Sequence, residues 1–170
     1  MTFLQQKVRD HDLVRVAVTE SPGGQILRAV VEEVCSRREF DLRPGTGFTF
    51  VSQPGHWGQR VLGAGCRAFV FLRRISGKWY EDAWRGDLPI EEIDGVQYAL
   101  YQHDFRLLTA APGIPDELRT GWRPHPDRRE TTCFELAATE AHLRALVDRE
   151  HGPGRPAEPV GRRPSWRHRP

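Results

Sequence analysis

The chain has 170 residues, a length that fits one domain and can bury a hydrophobic core without the support of disulfides or metal ions. Apolar residues make up 38% and charged residues 28%, which excludes a disordered body, and no run of about 18 apolar residues occurs, which excludes a membrane-spanning helix. The net charge is +2, but residues 152–170 hold five arginines and one glutamate, so residues 1–151 carry −2.

The N-terminal residues and the cysteines indicate the cellular compartment. Residues 1–12 are polar and mixed, so we expect a short leader or a marginal first turn there, without the apolar stretch of a secretory signal. Cys35, Cys66 and Cys133 are odd in number and widely spaced, which does not fit a disulfide framework. We therefore predict a cytoplasmic protein with reduced thiols and no membrane association.

Three strands are predicted in the first third of the chain. Leu13–Thr19 alternates apolar and polar residues and is followed by a Pro-Gly-Gly turn. Gln25–Cys35 is the second predicted strand. The spacing of its apolar residues fits a helix as well, but its β-branched residues favour a strand. Gly47–Ser52 forms the third strand, with Phe48 and Phe50 on one face. The loop after it, Gln-Pro-Gly-His-Trp-Gly, is rich in residues that permit unusual backbone conformations.

The strongest pattern in the chain lies between Gly63 and Tyr101. Turn signals at Ser76-Gly77 and Asp94-Gly95 separate extended segments there, because glycine supplies the positive φ of a tight hairpin. The segments predicted as strands are Cys66–Leu72, Lys78–Trp84 and Val96–Tyr101. Short strands with Gly and Pro between them are typical of a sandwich or a closed barrel.

The C-terminal third combines an irregular segment, a helix and a tail. Ala110–Arg129 contains four prolines, so we expect an irregular excursion. Thr132 and Glu135 have capping-box spacing, and alanines recur at helical spacing after them, which predicts a C-terminal helix over about 132–150. Residues 152–170 are rich in Pro and Arg, which predicts a disordered basic tail. Residues 1–151 are then a single β-barrel domain with its helix.

The order of these segments resembles a known type of barrel. LRAVVEEV, LRPGTGFTF, LGAGCRAFVFL and IDGVQYALY, followed by the helix TTCFELAATEAHLRALV, resemble small bacterial β-barrel proteins of the oligonucleotide/oligosaccharide-binding (OB) type. The order is similar to the netrin-like or metalloproteinase-inhibitor-like version of that barrel. The resemblance implies an OB-like antiparallel barrel or barrel-like sandwich and a binding role. The inhibitors use an N-terminal cysteine to reach a metal, whereas this chain begins Met-Thr-Phe, so that mechanism is not carried over.

No catalytic or metal-binding motif is present in the sequence. The spacings CxxC, HxxxH and HExxH do not occur, so we predict no metal and no cofactor. Ser52, His56 and Asp104 are a possible nucleophile, base and orienting group, but nothing in their spacing requires them to meet. We therefore predict no catalytic residue.

The aromatic residues carry the binding prediction. Trp57 lies in a glycine-rich loop and Trp84 precedes Arg85 and a glycine, so both are candidates for an exposed contact surface, together with Arg85, His56 and Trp79. We interpret the chain as a non-enzymatic module that binds another protein, in the manner of an inhibitor or immunity protein. The alternative is single-stranded nucleic-acid binding through the barrel face and the basic tail. A small hydrolase or metal enzyme is the third possibility.

Overall fold

The computed structural model describes residues 2–36, 41–52, 62–83, 86–102, 118, 121–129 and 131–152. Among the elements that these residues form, one helix comes first, nine strands follow and a longer helix comes last. In chain order these elements are α1 (Phe3–Asp10), β1 (Asp12–Gly23), β2 (Ile26–Val34), β3 (Gly47–Val51), β4 (Arg67–Ile75), β5 (Lys78–Glu81), β6 (Asp87–Ile93), β7 (Val96–Gln102), β8 (Arg123–Pro124), β9 (Thr131–Glu135) and α2 (Leu136–His151).

Five strands close into a barrel. Their order is β1-β2-β3-β5-β4, and β4 pairs back onto β1 to complete the ring. Strands β3 and β5 run parallel, and the other neighbours in the ring are antiparallel. The predicted mainly β fold with a barrel and a C-terminal helix is confirmed, and the closed five-stranded ring is compatible with an OB-like barrel.

The position of strand β4 between two hydrophobic cores explains why its sequence is almost continuously apolar. Successive side chains of a strand point to opposite faces. Ala68, Val70 and Leu72 face the barrel interior, while Phe69 and Phe71 face outward into a second core. All five side chains are buried. An apolar run without alternation is what a strand buried on both faces requires.

The second core lies between the barrel, four further strands and the two helices. The sheet continues from β4 through β6, β7 and β9 to β8. Helices α1 and α2 contact each other, and α2 also contacts β7 and β9. The side chains that fill this core include Val8, Leu13, Phe69, Phe71, Leu88, Ile90, Tyr101, Phe134, Leu143, Leu146 and Val147.

Both predicted hairpin turns are present and have the expected backbone conformation. Ser76 and Gly77 have φ values of 48° and 80°, and Asp94 and Gly95 have values of 53° and 78°. Two consecutive residues with positive φ form the type I′ turn, whose twist matches that of the flanking strands. These local turn residues therefore fix the β4–β5 and β6–β7 hairpins.

Several boundaries differ from the sequence-based predictions. Residues 3–10 form a full helix rather than a marginal turn, with Thr2 accepting a hydrogen bond from the backbone of Gln5 at 3.2 Å. The region between Gly63 and Tyr101 holds four strands rather than the three predicted. The additional strand is β6. Its Pro89 and paired glutamates weaken the strand signal. Strand β5 ends at Glu81 rather than at Trp84.

The C-terminal helix begins at Leu136, four residues later than predicted. The capping box at Thr132 and Glu135 is wrong, because Thr131–Glu135 pairs as β9 with β7. Cys133 consequently lies on a strand and not on the helix. Glu135 is the N-cap residue without a side-chain cap hydrogen bond, and the hydroxyl of Thr139 donates instead to the Glu135 carbonyl at 3.0 Å. Pairing of β-branched residues with a central strand outweighs the local capping signal.

Other predictions concern segments that the structure does not describe. The predicted disordered tail, apart from Gly152, lies outside the described residues. The same holds for most of the predicted excursion over Ala110–Arg129, of which Leu118 and residues 121–129 are described.

Candidate functional site

The outer side of the barrel is covered on one flank and open on another. Outward side chains of β1 and β4, such as Leu13, Phe69 and Phe71, are buried in the helical core. On β2, β3 and β5 the outward side chains are exposed or half-buried, within the part of the chain that the structure describes. We call this surface, with the end of β4 beside it, the outer face.

The registers of the strands place eight side chains on the outer face in two adjacent rows. Paired residues of neighbouring strands point to the same side of a sheet. One row crosses β2, β3, β5 and β4 and consists of Ile26, Val51, Tyr80 and Arg73. The second row, two residues away on each strand, consists of Arg28, Thr49, Lys78 and Ile75.

The outer face combines exposed apolar groups with cations. Ile26 and Ile75 are 45% and 48% exposed, and Val96 on β7 is the other exposed large hydrophobic residue among those described. The cations are Arg28, Arg73 and Lys78, whereas none of the eight side chains is a carboxylate. Ile26 and Ile75 lie at opposite corners of the two rows, with the half-buried Val51 and Tyr80 between them. Exposed apolar side chains rimmed by polar groups are a feature of interaction sites on soluble domains.

Two of the three cations have contacts within the described chain. Arg28 Nη1 donates to Glu20 Oε2 at 2.7 Å, in an exposed pair. Arg73 Nη2 lies 3.4 Å from His11 Nε2 at the end of α1. Lys78 forms no ion pair with a described carboxylate within 4.0 Å. The cationic groups of this face are therefore held by weak contacts at most, since exposed pairs contribute little.

Trp79 is the one predicted contact residue that the structure describes. Its side chain points to the barrel interior, opposite to Tyr80, and packs against the barrel core. The guanidinium of Arg74 lies 5.4 Å from the centre of the indole ring and also pairs with Asp41. Trp79 thus closes one end of the core, while its neighbour Tyr80 reaches the outer face. The other predicted contact residues, His56, Trp57, Trp84 and Arg85, lie outside the described residues.

A polar cluster connects α1 to the segment after β5. Lys7 and His11 are buried, and both reach Asp82, with 3.5 Å between His11 Nε2 and Asp82 Oδ2. His11 Nδ1 lies 3.2 Å from the carbonyl oxygen of Lys7 and donates to it. Burial by itself would raise the pKa of Asp82, but the hydrogen bonds and charges of His11 and Lys7 hold it well below its ordinary value. Asp82 is therefore an ionised anchor for α1.

Two buried carboxyl groups lie on the inner side of the barrel. Glu81 and Asp87 pair with Leu72 and Val70 of β4, whose side chains belong to the barrel core. Ser52 donates to Glu81 Oε2 at 2.7 Å. Burial raises the pKa of Asp87 to about 7, and burial together with the nearby Asp87 charge raises that of Glu81 well above its ordinary value.

These two carboxyls have the chemistry of an acid–base pair but not the access. Perturbed carboxyl pKa values often mark catalytic sites. Glu81 and Asp87 are only 4% and 8% exposed, so in this structure they face the core rather than a substrate. Their raised pKa values have a structural consequence, which is a fold that is more stable when they are protonated.

The described cysteines and acidic groups show no assembled chemistry. Burial raises the pKa of Cys35 to about 12 and also raises that of Cys133, so both thiols stay protonated. Within the described ranges, no three His, Cys, Asp or Glu side chains are grouped to hold a metal ion. Among the described parts, binding groups are therefore assembled on the outer face.

Sequence reasoning did not select the residues of this face as contact residues. The strand predicted over Gln25–Cys35 does contain Ile26 and Arg28, which are exposed and alternate with the buried Leu27 and Ala29. Tyr80 was missed because the orientation of β5 depends on its pairing with β3 and β4, which no local signal specifies.

Comparisons with known proteins leave the fold and the outer face as the guides to function. No protein family matches this chain, and no match was found among curated proteins or solved structures. Neither described helix is long and apolar enough to cross a membrane.

Proposed function

We propose that this chain is a non-enzymatic module that binds another protein through the outer face of its barrel. The observation that carries the proposal is that Ile26 and Ile75, two of the three exposed large hydrophobic residues described, lie on that one face. Tyr80 lies between them on β5. Tyrosine and arginine are enriched at protein contact surfaces, whose buried centres are more apolar than the surrounding surface. An inhibitor-like or immunity-like mode would use this face to cover a partner's surface.

Site-specific photocrosslinking in the native host tests the proposal. A benzophenone side chain placed at Tyr80 should form protein adducts, because it lies among the contact groups. The matched control position is Val96, which is 41% exposed but lies on β7, away from the outer face. Equal adducts at both positions, or none at Tyr80, would contradict the proposal. The same probe at Trp57 and Trp84 tests the contact residues that the sequence predicts.

The alternative function is single-stranded nucleic-acid binding, supported by the strand order of the barrel and the basic tail. OB-type barrels bind oligonucleotides on the face of strands 2 and 3. Stacking of bases needs aromatic platforms, however, and Tyr80 is the only aromatic side chain in the two rows. Fluorescence anisotropy with mixed-sequence DNA and RNA separates the two functions. Binding that depends on Tyr80 at near-physiological salt would favour nucleic acid, whereas binding that vanishes when the tail arginines become serine reflects charge alone.

A further inference from the structure

We propose that the partner presents an acidic segment with large apolar side chains to the outer face, an inference that rests on the proposed protein-binding function. The two rows hold Ile26, Ile75, Val51 and Tyr80 as apolar groups and Arg28, Arg73 and Lys78 as cations. The face therefore offers hydrophobic contact and positive charge together. A segment that satisfies both needs apolar side chains and carboxylates in the same stretch.

The charge of the face differs from that of its surroundings. From Arg67 to Tyr80, which covers β4 and most of β5, there are four basic residues and no acidic one. From Gly86 to Gln102, which covers β6 and β7, there are four acidic residues and no basic one. Of these four basic residues, Arg73 and Lys78 lie in the two rows, whereas Arg67 pairs with Glu32 and Arg74 pairs with Asp41. The two rows, with Arg28, Arg73 and Lys78 and no carboxylate, are thus positive, although residues 1–151 are negative in total. Such a local field attracts anionic groups and repels cationic ones.

The contacts of the cations show how a carboxylate would be held. Arg28 already binds a carboxylate, that of Glu20, in an exposed pair at 2.7 Å. A carboxylate of the partner can replace Glu20 at small cost, because exposed pairs of this kind contribute little to stability. Lys78 forms no ion pair with a described carboxylate within 4.0 Å, so an incoming carboxylate would not have to displace one.

The dimensions of the face fit a short extended segment. Neighbouring strands lie about 4.8 Å apart, so four strands span about 14 Å, and rows two residues apart are separated by about 7 Å. About five extended residues cover that width. Alternate side chains of such a segment can contact the apolar positions while the others reach Arg28, Lys78 or Arg73.

The experiment is a selection from a random twelve-residue peptide library against the full-length protein. The selected peptides are then measured by fluorescence anisotropy against wild type, Lys78→Glu, Tyr80→Ala and the control Val96→Ser. We expect the selected peptides to be enriched in Asp or Glu together with Leu, Ile or Tyr. Lys78→Glu should weaken their binding about tenfold, since a charge reversal removes one attraction and adds one repulsion of about 0.7 kcal/mol each. Peptides with Glu changed to Lys should recover affinity for Lys78→Glu.

Each alternative outcome overturns the inference in a distinguishable way. Peptides that depend on Tyr80 but carry no acidic excess refute the acidic partner and leave the protein-binding function standing. Peptides that bind all four proteins equally refute the outer face as the site, and the proposed function with it. A twelve-residue oligothymidylate that binds more tightly than any peptide, and loses affinity with Tyr80→Ala, assigns the face to nucleic acid instead.

Discussion

Asp87→Asn tests the buried carboxyl pair, because it keeps the shape of the side chain and removes its charge. Asp87 is 8% exposed at the start of β6, and burial raises its pKa from an ordinary 3.8 to about 7. A folded-state pKa above the unfolded one means that the folded protein binds the proton more tightly. The stability from this group is therefore fully present below about pH 4 and is lost as the pH rises towards 7.

The magnitude follows from the two pKa values. At about 1.4 kcal/mol per pKa unit, the rise from 3.8 to about 7 corresponds to about 4 kcal/mol between the acidic and alkaline limits. Between pH 5 and pH 8 the corresponding loss is about 2–3 kcal/mol, as an upper value for a rigid site. Glu81 acts in the same direction because its pKa is also raised. Asp82, with a lowered pKa, contributes stability that is lost only in acid, below that window.

Urea unfolding of wild type and variant at pH 5 and pH 8 measures this effect. The stability difference should grow by about 2–3 kcal/mol in favour of Asp87→Asn from pH 5 to pH 8, because only wild type must ionise the buried group. The matched control is Asp94→Asn, at a turn where the side chain is 76% exposed. Its difference from wild type should stay within about 0.5 kcal/mol at both pH values. A difference for Asp87→Asn that does not change with pH would refute the reasoning.

Three further substitutions test the packing by thermal or urea unfolding. Gly86→Ala should lower the free energy of unfolding by about 2 kcal/mol or more, because the new Cβ would lie 2.5 Å from Glu81 Cγ and 2.8 Å from the Asp82 backbone nitrogen. An unchanged unfolding midpoint would contradict this close approach. Phe71→Ala should cost about 3–5 kcal/mol if β4 is buried on both faces, and a cost below 1 kcal/mol would argue against the second core. Thr132→Val should stabilise by about 1 kcal/mol, since the Thr132 hydroxyl is buried without a hydrogen-bond partner among the described residues; a loss of stability would indicate that it has one.

The parts of the fold that the sequence predicted are those with local causes. Both type I′ turns follow from residues that tolerate positive φ, and the β2 strand follows from its β-branched residues. Closure of β4 onto β1 was not predictable, because it joins Asp12 to Leu72 across sixty residues. The late start of α2 at Leu136 has the same origin, since β9 forms only when β7 is beside it.

The candidate site shows the same limit at the scale of one residue. Trp79 and Tyr80 are adjacent aromatics of β5, and sequence reasoning chose Trp79 as a contact residue. Register decides which of them faces out, and a shift of one residue exchanges their roles. The register of β5 is set by β3 and β4, through the pairs Phe50 with Trp79 and Arg73 with Tyr80. Only the assembled barrel therefore separates the core aromatic from the surface one.

Strand β5 also shows why binding and stability should be separable in this protein. Its inward residues, Trp79 and Glu81, contact the barrel core and Ser52, whereas its outward residues, Lys78 and Tyr80, lie on the outer face. Substitutions at Lys78 or Tyr80 remove groups that the core does not need, so they should change affinity with little change in unfolding free energy. Substitutions at Glu81 should alter the pH dependence of stability first. The alternation of four residues thus places the core contacts on one side of the strand and the groups of the proposed binding face on the other.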